Sequence, residues 1–328
     1  MNTAVIKAIA SYLPERVLTN QDLEHMVETS DEWILTRTGI RERRIATPEE
    51  AASDLGIKAA QRLLTSTGLD PENIDLVIVT TMTPDYIGCP ATAPIIQSAI
   101  GAKRAAAFDL MAACSGFIYG LATAKAFLES GLYSTILLVS SEKNSAFTDY
   151  TDRNTCVLFG DGASATLLQR GGPGLQVRSC NLGASGSEAS LICIPAGGSR
   201  KPPSLETIQE KEHTIKMNGR EVFKHAVRKM EESILLCLES EKLSQEQIRW
   251  LIPHQANFRI MEAVAKRFNI DTDRLVVTID SYANTSSSTI PIALDLLLQQ
   301  KRIQPDDIIA LTAVGGGLTW GSAILKAV

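Results

Sequence analysis

Three residue types in this chain could together transfer an acyl group. Cys114 stands in Ala112-Ala113-Cys114-Ser115-Gly116-Phe117, where an apolar run meets a small-residue turn and then an amphipathic stretch. A thiol at a helix start faces unpaired N–H donors and the positive end of the macrodipole. Both lower its pKa from about 8.5 and raise the thiolate fraction. A buried structural cysteine, the commonest fate of a free thiol, is the alternative on position alone. His254, in Pro253-His254-Gln255-Ala256-Asn257, follows a predicted strand, although a lone loop histidine is usually a surface residue. Asn284 opens another turn, Asn284-Thr285-Ser286-Ser287-Ser288, where it could simply cap a helix. A Cys, a His and an Asn at three strand ends form an acyl-transfer constellation. Gly315 to Gly321 (G-G-G-L-T-W-G) follows a further strand. With no G-x-G-x-x-G and no Walker lysine nearby, backbone N–H groups for an oxyanion suit that loop better than a phosphate cradle. The serine-hydrolase and zincin signatures G-x-S-x-G and H-E-x-x-H are absent. His25, His213 and His225 sit in polar or amphipathic helical contexts and read as solvated.

Positioning those groups falls to alternating strands and helices. Short β-branched runs at 74–80, 134–140, 249–252 and 308–313 read as strands, and 51–65, 116–129, 219–239 and 259–268 read as helices. That alternation argues α/β with mostly parallel pairing. The chain also repeats itself. Residues 64–79 align without gaps on 238–253, each a helix end, an acidic turn and a strand, and 105–114 parallel 275–284. Gly-rich strands end both copies at 160–168 and 315–325. The repeat makes Cys114 and Asn284 equivalent, facing each other across a pseudo-twofold axis where ligands gather at strand ends. The turn-forming run Arg170-Gly171-Gly172-Pro173-Gly174 divides a first half, 1–172, carrying the Cys, from a second, 173–328, carrying the His and Asn. Residues 195–217, rich in Gly, Pro and charge, read as a surface loop with some helix.

Composition narrows the class. The 328 residues are 45% hydrophobic and 21% charged, so a large core can be buried and disorder is excluded. A net charge of -5 argues against a nucleic-acid binder. The six cysteines show no C-x-x-C spacing, which argues against zinc or dithiol redox chemistry and fits free thiols in a reducing compartment. No secretory signal is evident, and no apolar run approaches the roughly 18 residues of a membrane span. The expectation is a cytoplasmic protein with no metal and no membrane partner.

With these residues in view, the chain resembles the β-ketoacyl-acyl carrier protein synthase III family along its full length. The resemblance rests on Thr29-Ser30-Asp31-Glu32-Trp33-Ile34, Thr36-Arg37-Thr38-Gly39-Ile40-Arg41-Glu42-Arg43 and the Cys114 segment. It continues through Asp152-Arg153, Gly160-Asp161-Gly162-Ala163, His254-Gln255-Ala256-Asn257, Asn284-Thr285-Ser286 and the terminal glycine loop. It implies a thiolase fold, two similar halves in a five-layered αβαβα arrangement, as a homodimer. It implies that Cys114 is acylated, that His254 and Asn284 complete the triad, and that the backbone N–H groups of Cys114 and Gly316 hold an oxyanion. Trp33 and Arg153 would sandwich the adenine of coenzyme A, with Thr29 and Arg37 near the nucleotide and Asn257 on the pantetheine arm. Lys224, Arg259, Lys266 and Arg267 would form a basic rim for an acidic carrier protein; an ordinary solvated face is the alternative. No cofactor is implied, since acyl-CoA is a substrate. The implied reaction is a decarboxylative Claisen condensation of acyl-CoA with malonyl-acyl carrier protein.

Two positions depart from the family pattern. Ala283 stands where the family often has Gly, beside a variable Tyr282. Cys89, before Pro90, takes the place of a bulky residue that helps close the primer channel across the dimer, so longer or branched primers could enter. The absence of a Cys before the terminal glycine loop sets aside a degradative thiolase, and Asn at 284 sets aside an elongating synthase with two histidines. A secondary-metabolite (quinolone or polyketide) condensing enzyme and a Cys-dependent thioester hydrolase remain as alternatives.

Overall fold

The computed structural model describes residues 3–328. Nine strands form one mixed sheet: β1 (Ala4–Tyr12), β2 (Leu76–Thr80), β3 (Ala106–Leu110), β4 (Thr135–Glu142), β5 (Gly162–Arg170), β6 (Leu175–Ala184), β7 (Ile248–Pro253), β8 (Ile308–Gly315) and β9 (Thr319–Ala327). Their order is β7-β8-β9-β6-β1-β5-β4-β2-β3. The first five strands run β3-β2-β4-β5-β1, with β2 parallel to β3 and β4 and antiparallel pairing beyond. The last four repeat that order and sense if Leu275, bridged in parallel to Leu251 of β7, stands in for a third strand. The two groups join only where Val5 and Ile6 of β1 meet Gln176 and Leu175 of β6.

Helices α1 (Asp31–Thr38), α2 (Ala52–Thr67), α3 (Thr92–Ala99), α4 (Gly116–Ser130), α5 (Gly219–Glu241), α6 (Phe258–Arg267) and α7 (Thr289–Gln299) complete the frame. Helix α4 packs against strands of both groups, including β2, β4, β6 and β9. Helix α7 (T-I-P-I-A-L-D-L-L-L-Q) lies alongside it in the same central core of apolar side chains. A helix apolar nearly all round has no face to give to water, so these two form the middle layer. Amphipathic α2 and α3 cover the outer face of the first strands, and α5 and α6 that of the last. The result is five layers, αβαβα.

Local chemistry sets the element ends. Helix α2 stops at Gly68 and α5 at Lys242, both left-handed, and each is followed by a 3-10 turn (Pro71–Asn73, Gln245–Gln247) that feeds a strand. The expected pairing of a strand before Asn284 with the one before Cys114 is only half met. Residues 106–110 form β3, whereas Leu275 makes a single bridge. The buried Gln255 amide intervenes there: it accepts the Thr278 N–H at 2.8 Å and donates to the Val276 carbonyl at 3.2 Å. Those backbone groups are thereby lost to a ladder. Residues 195–217 are also more than a surface loop. Lys216–Met217 pair with Ile192–Cys193, and Ile215 is buried.

Close helix–sheet approach in the middle layer depends on Gly120. A Cβ there would lie 2.6 Å from Leu138 Cδ1 and 3.0 Å from Thr80 Cγ2. Gly120→Val should therefore lower folding stability by about 1–3 kcal/mol, the range for overpacking a filled core. A denaturant midpoint equal to that of the parent chain would show that α4 does not seat as described.

Candidate active site

Cys114 enters the site from a strained turn. Ala113 has φ 45°, in the left-handed region that L residues seldom occupy, and the 3-10 turn Ala113–Ser115 leads directly into α4. Asn284 enters from the matching place. Ala283 has φ 55°, so the position where the family often has Gly does carry a glycine-like backbone. His254 follows β7, its backbone N–H bound to the Thr312 carbonyl of neighbouring β8 at 2.8 Å. Two strand ends, before Cys114 and His254, and the helical turn Ile279–Tyr282 before Asn284 bring the three side chains to one cavity, with Gly316, Asn257, Met82, Phe159, Phe223 and Met230 also in its wall. The space there, part of it open to solvent, is about 820 Å³ and its lining is chiefly apolar.

The polar groups are held from behind. Asn284 Oδ1 accepts the Ser286 N–H at 2.8 Å, which leaves the NH₂ end of the amide free to donate. His254 Nδ1 lies 2.6 Å from Thr289 Oγ1. Behind them Glu142 is fully buried, and it makes no ion pair among the described residues. Its carboxylate accepts from Thr81 Oγ1, Met82 N, Thr83 Oγ1 and the hydroxyl and N–H of Ser287, so it ties the end of β2 to the loop after Asn284. Sequence reasoning missed Glu142, Thr289 and Ser286. The only signal for Thr289 and Ser286 was an unusually dense run of hydroxyl residues after Asn284, and there was none for Glu142.

Burial decides the resting charges. The Cys114 thiol is pushed up to about 12, chiefly because the apolar surroundings disfavour the thiolate. The Ser286 hydroxyl and the backbone N–H at the turn pull it down, and the nearby Glu142 carboxylate adds to the rise. The expectation of a lowered thiol pKa is therefore overturned: loss of water outweighs the helix start. Burial also depresses His254 to about 3, so its ring is neutral.

The glycine loop meets the cysteine turn at van der Waals limits. A Cβ on Gly315 would stand 2.7 Å from Cys114 N and 2.9 Å from Ser115 N. Thr319 Oγ1 bonds Ser115 Oγ at 2.7 Å and donates to the Ala112 carbonyl at 3.0 Å, stitching the two segments together.

A second depression, of about 1200 Å³, opens outward from this cavity and shares Leu158, Met217, Gly219, Phe223 and Asn257 with it. Its wall holds Trp33, Arg37, Arg220, Lys224 and Arg259 and no carboxylate. Arg220 went unnoticed in the sequence, although it lies one helical turn before Lys224. The Arg153 guanidinium already stacks on Trp33, 4.1 Å from the ring centroid. A base could therefore not lie between them as they stand; it would have to part the pair or stack outside it. Thr29 does not line this mouth. Asn257 caps α6, accepting the Arg259 N–H at 2.9 Å and donating to the Arg37 carbonyl at 3.0 Å. Lys266 and Arg267 lie outside the mouth on the exposed face of α6, paired with Glu262 and Glu231, and Lys224 pairs with Glu221. A third space of about 770 Å³ continues beyond Cys114 past Met82, Ile192 and Gly316 to the exposed Met111. Cys89 is exposed and lines none of these walls within one chain. All six cysteines are free. No group of three metal-ligating side chains occurs among the described residues, and no described helix is long and apolar enough to cross a membrane.

The comparisons agree with this geometry. Residues 108–186 match the family model 3-oxoacyl-[acyl-carrier-protein (ACP)] synthase III, and residues 238–327 match its C-terminal counterpart. The chain is 52% identical to the beta-ketoacyl-[acyl-carrier-protein] synthase III of Chlamydia caviae over 99% of its own length and 97% of that protein's. It is 49% identical to the corresponding protein of Caldanaerobacter subterraneus, over 98% and 97%. The crystal structure of 3-oxoacyl-[acyl-carrier-protein] synthase III from Aquifex aeolicus superposes with a TM-score of 0.90 at 42% identity, covering 98% of this chain and 99% of that one. With that identity sustained from end to end, on a five-layered frame that gathers Cys114, His254 and Asn284 at one cavity, the chain belongs to the β-ketoacyl-[acyl-carrier-protein] synthase III family, the acyltransferases whose condensation initiates type II fatty acid synthesis.

Proposed function

We propose that the chain condenses an acyl-CoA primer with malonyl-acyl carrier protein, with Cys114 as nucleophile and His254 and Asn284 as enolate donors. The observation that carries this is the convergence of those three side chains on one apolar cavity whose mouth holds Arg37, Arg220, Lys224 and Arg259 and no carboxylate. The thiol attacks the primer thioester, and its proton leaves on the sulphur of CoA, so the exchange needs no net base. The carbonyl oxygen gains charge meanwhile, and the N–H groups of Cys114 and Gly316 are its donors. Malonyl-acyl carrier protein then loses CO2. The electron pair of the broken C–C bond becomes an enolate, whose oxygen takes hydrogen bonds from His254 Nε2 and the Asn284 amide. The enolate carbon attacks the acyl-Cys carbonyl; the Cys114 sulphur departs and regains a proton from solvent. Neutral donors suit this step: in a water-poor cavity, preorganised dipoles stabilise developing charge with little reorganisation.

Arg37, Arg220, Lys224 and Arg259 at the mouth attract the phosphates of CoA or of a carrier-bound pantetheine. Trp33 and Arg153 take the adenine once parted, with Thr29 beside the nucleotide and Asn257 at the neck. Lys224, Arg259, Lys266 and Arg267 face the acidic carrier. We read the chain as two thiolase-like halves, 1–172 and 173–328, working in the cytoplasm as a homodimer. What supports the dimer is the free outer edge of β3 together with the exposed apolar side chains of Tyr86, Ile87 and Met111, which a second copy would cover. In that dimer Cys89 would stand at the far end of the partner's primer channel and, being small, leave it open.

In an incubation of acyl-CoA, malonyl-acyl carrier protein and enzyme, mass spectrometry should find CO2 and a 3-oxoacyl product. Cys114→Ala should abolish acyl transfer while leaving some malonyl decarboxylation. His254→Ala and Asn284→Ala should keep acylation and lose decarboxylation by roughly 100-fold or more, the usual loss for one oxyanion donor. Normal decarboxylation by Asn284→Ala would refute its assignment.

Because His254 stays neutral down to about 3, the condensation rate should show no acid limb at the ordinary imidazole value of about 6.5. The same depression costs stability in acid. As pH falls from about 6.5 toward 3, the unfolded chain takes up a proton that the folded chain refuses, so folding stability drops over that window. His254→Asn should flatten this part of a denaturation-versus-pH series. An unchanged slope would place the titrating group elsewhere.

Rates with acetyl-, isobutyryl- and octanoyl-CoA read the primer channel. The parent chain should accept the longer or branched donors, and Cys89→Phe should shift preference toward acetyl. Strict acetyl preference in the parent chain would count against an open channel.

A further inference from the structure

One hydrogen atom behind the catalytic histidine has two acceptors to choose from. Thr289 Oγ1 lies 2.6 Å from His254 Nδ1 and 3.1 Å from the Ser286 carbonyl. That carbonyl already accepts the Thr289 backbone N–H, which closes the 3-10 turn Ser286–Ser288. A hydroxyl has one hydrogen to give, and a neutral imidazole has one N–H. If the hydroxyl points at Nδ1, the ring hydrogen sits on Nε2 and is offered to the cavity. If it points at the carbonyl, Nδ1 must be the protonated nitrogen and Nε2 turns a lone pair toward an enolate, which it would repel. The shorter contact is to Nδ1, and the carbonyl is served without the hydroxyl. Both groups are buried, so water cannot substitute.

We propose that Thr289 is a positioning residue that donates its hydroxyl hydrogen to Nδ1 and so holds His254 as the Nε2–H tautomer required for decarboxylation. The inference deepens the reading of His254 as an enolate donor and rests on it. It also gives a common logic to the loop after Asn284. Ser286 N–H orients the Asn284 amide, and Thr289 three residues on orients the imidazole, so one short segment aims both donors.

The test pairs nitrogen NMR of histidine-labelled enzyme with kinetics of Thr289→Val, which keeps the shape and removes the hydroxyl, and of Thr289→Ser, which restores it. In the parent enzyme the His254 resonances, assigned by their loss in His254→Ala, should show Nε2 protonated and Nδ1 bare and hydrogen-bonded. Thr289→Val should lose the Nδ1 hydrogen-bond signature. Its kcat for malonyl decarboxylation should fall roughly 10- to 100-fold, up to the low end of what losing one oxyanion donor costs, with KM for malonyl-acyl carrier protein and the rate of Cys114 acylation unchanged. Thr289→Ser should recover both signals. A parent enzyme protonated on Nδ1, or a Thr289→Val enzyme that decarboxylates at the parental rate, would overturn the proposal. His254→Ala separates the two levels. If it still decarboxylates, the donor role of His254 is wrong; if it does not while Thr289→Val does, only the role of Thr289 fails. Should Thr289→Val not fold, the parent spectrum alone decides the tautomer.

Discussion

The backbone contact between the glycine loop and the cysteine turn is the constraint on which the site depends. Any side chain at Gly315 would press on the N–H groups of Cys114 and Ser115 at under 3 Å. Two segments 200 residues apart can meet that closely only if both are made of small residues, and they are: Ala112, Ala113 and Ser115 on one side, Gly315 to Gly317 on the other. Close approach puts Cys114 and Gly316 on the wall of one cavity. The strain at Ala113 is tolerated because Thr319 pins the turn through Ser115 and the Ala112 carbonyl.

That contact sits in the middle of a five-layered molecule, and depth governs the chemistry. Removing water raises the thiol, lowers the imidazole and leaves a resting site without a thiolate–imidazolium pair. Neutral donors must then do what ion pairs do elsewhere, and neutral donors act only when correctly aimed. The hydroxyl and amide bonds of residues 284–289, together with the buried Glu142 that grips Ser287 and the end of β2, supply the aim. The basic side chains stand at the mouth, where water still screens them.

Much of this was legible along the chain. Hydrophobic periods and turn residues located most main strands and helices to within a few positions, because alternating burial leaves a period that survives in one dimension. The internal repeat carried further still: it set Cys114 opposite Asn284, and the turns before them share a left-handed alanine, at 113 and 283. The weak third strand of the second group was not legible. It depends on the Gln255 side chain competing for backbone groups more than 20 residues away.

Residue identity and spacing by themselves determined which atoms could react, since thiol, imidazole and amide are fixed by type and their places in turns by local pattern. Tertiary structure alone decided how those atoms behave. The thiol pKa, the neutrality of the ring, the stacking of Arg153 on Trp33 and the partner of His254 Nδ1 all depend on desolvation and on contacts between distant segments. Such terms are sums over neighbours in space, and a linear sequence does not say which neighbours those will be.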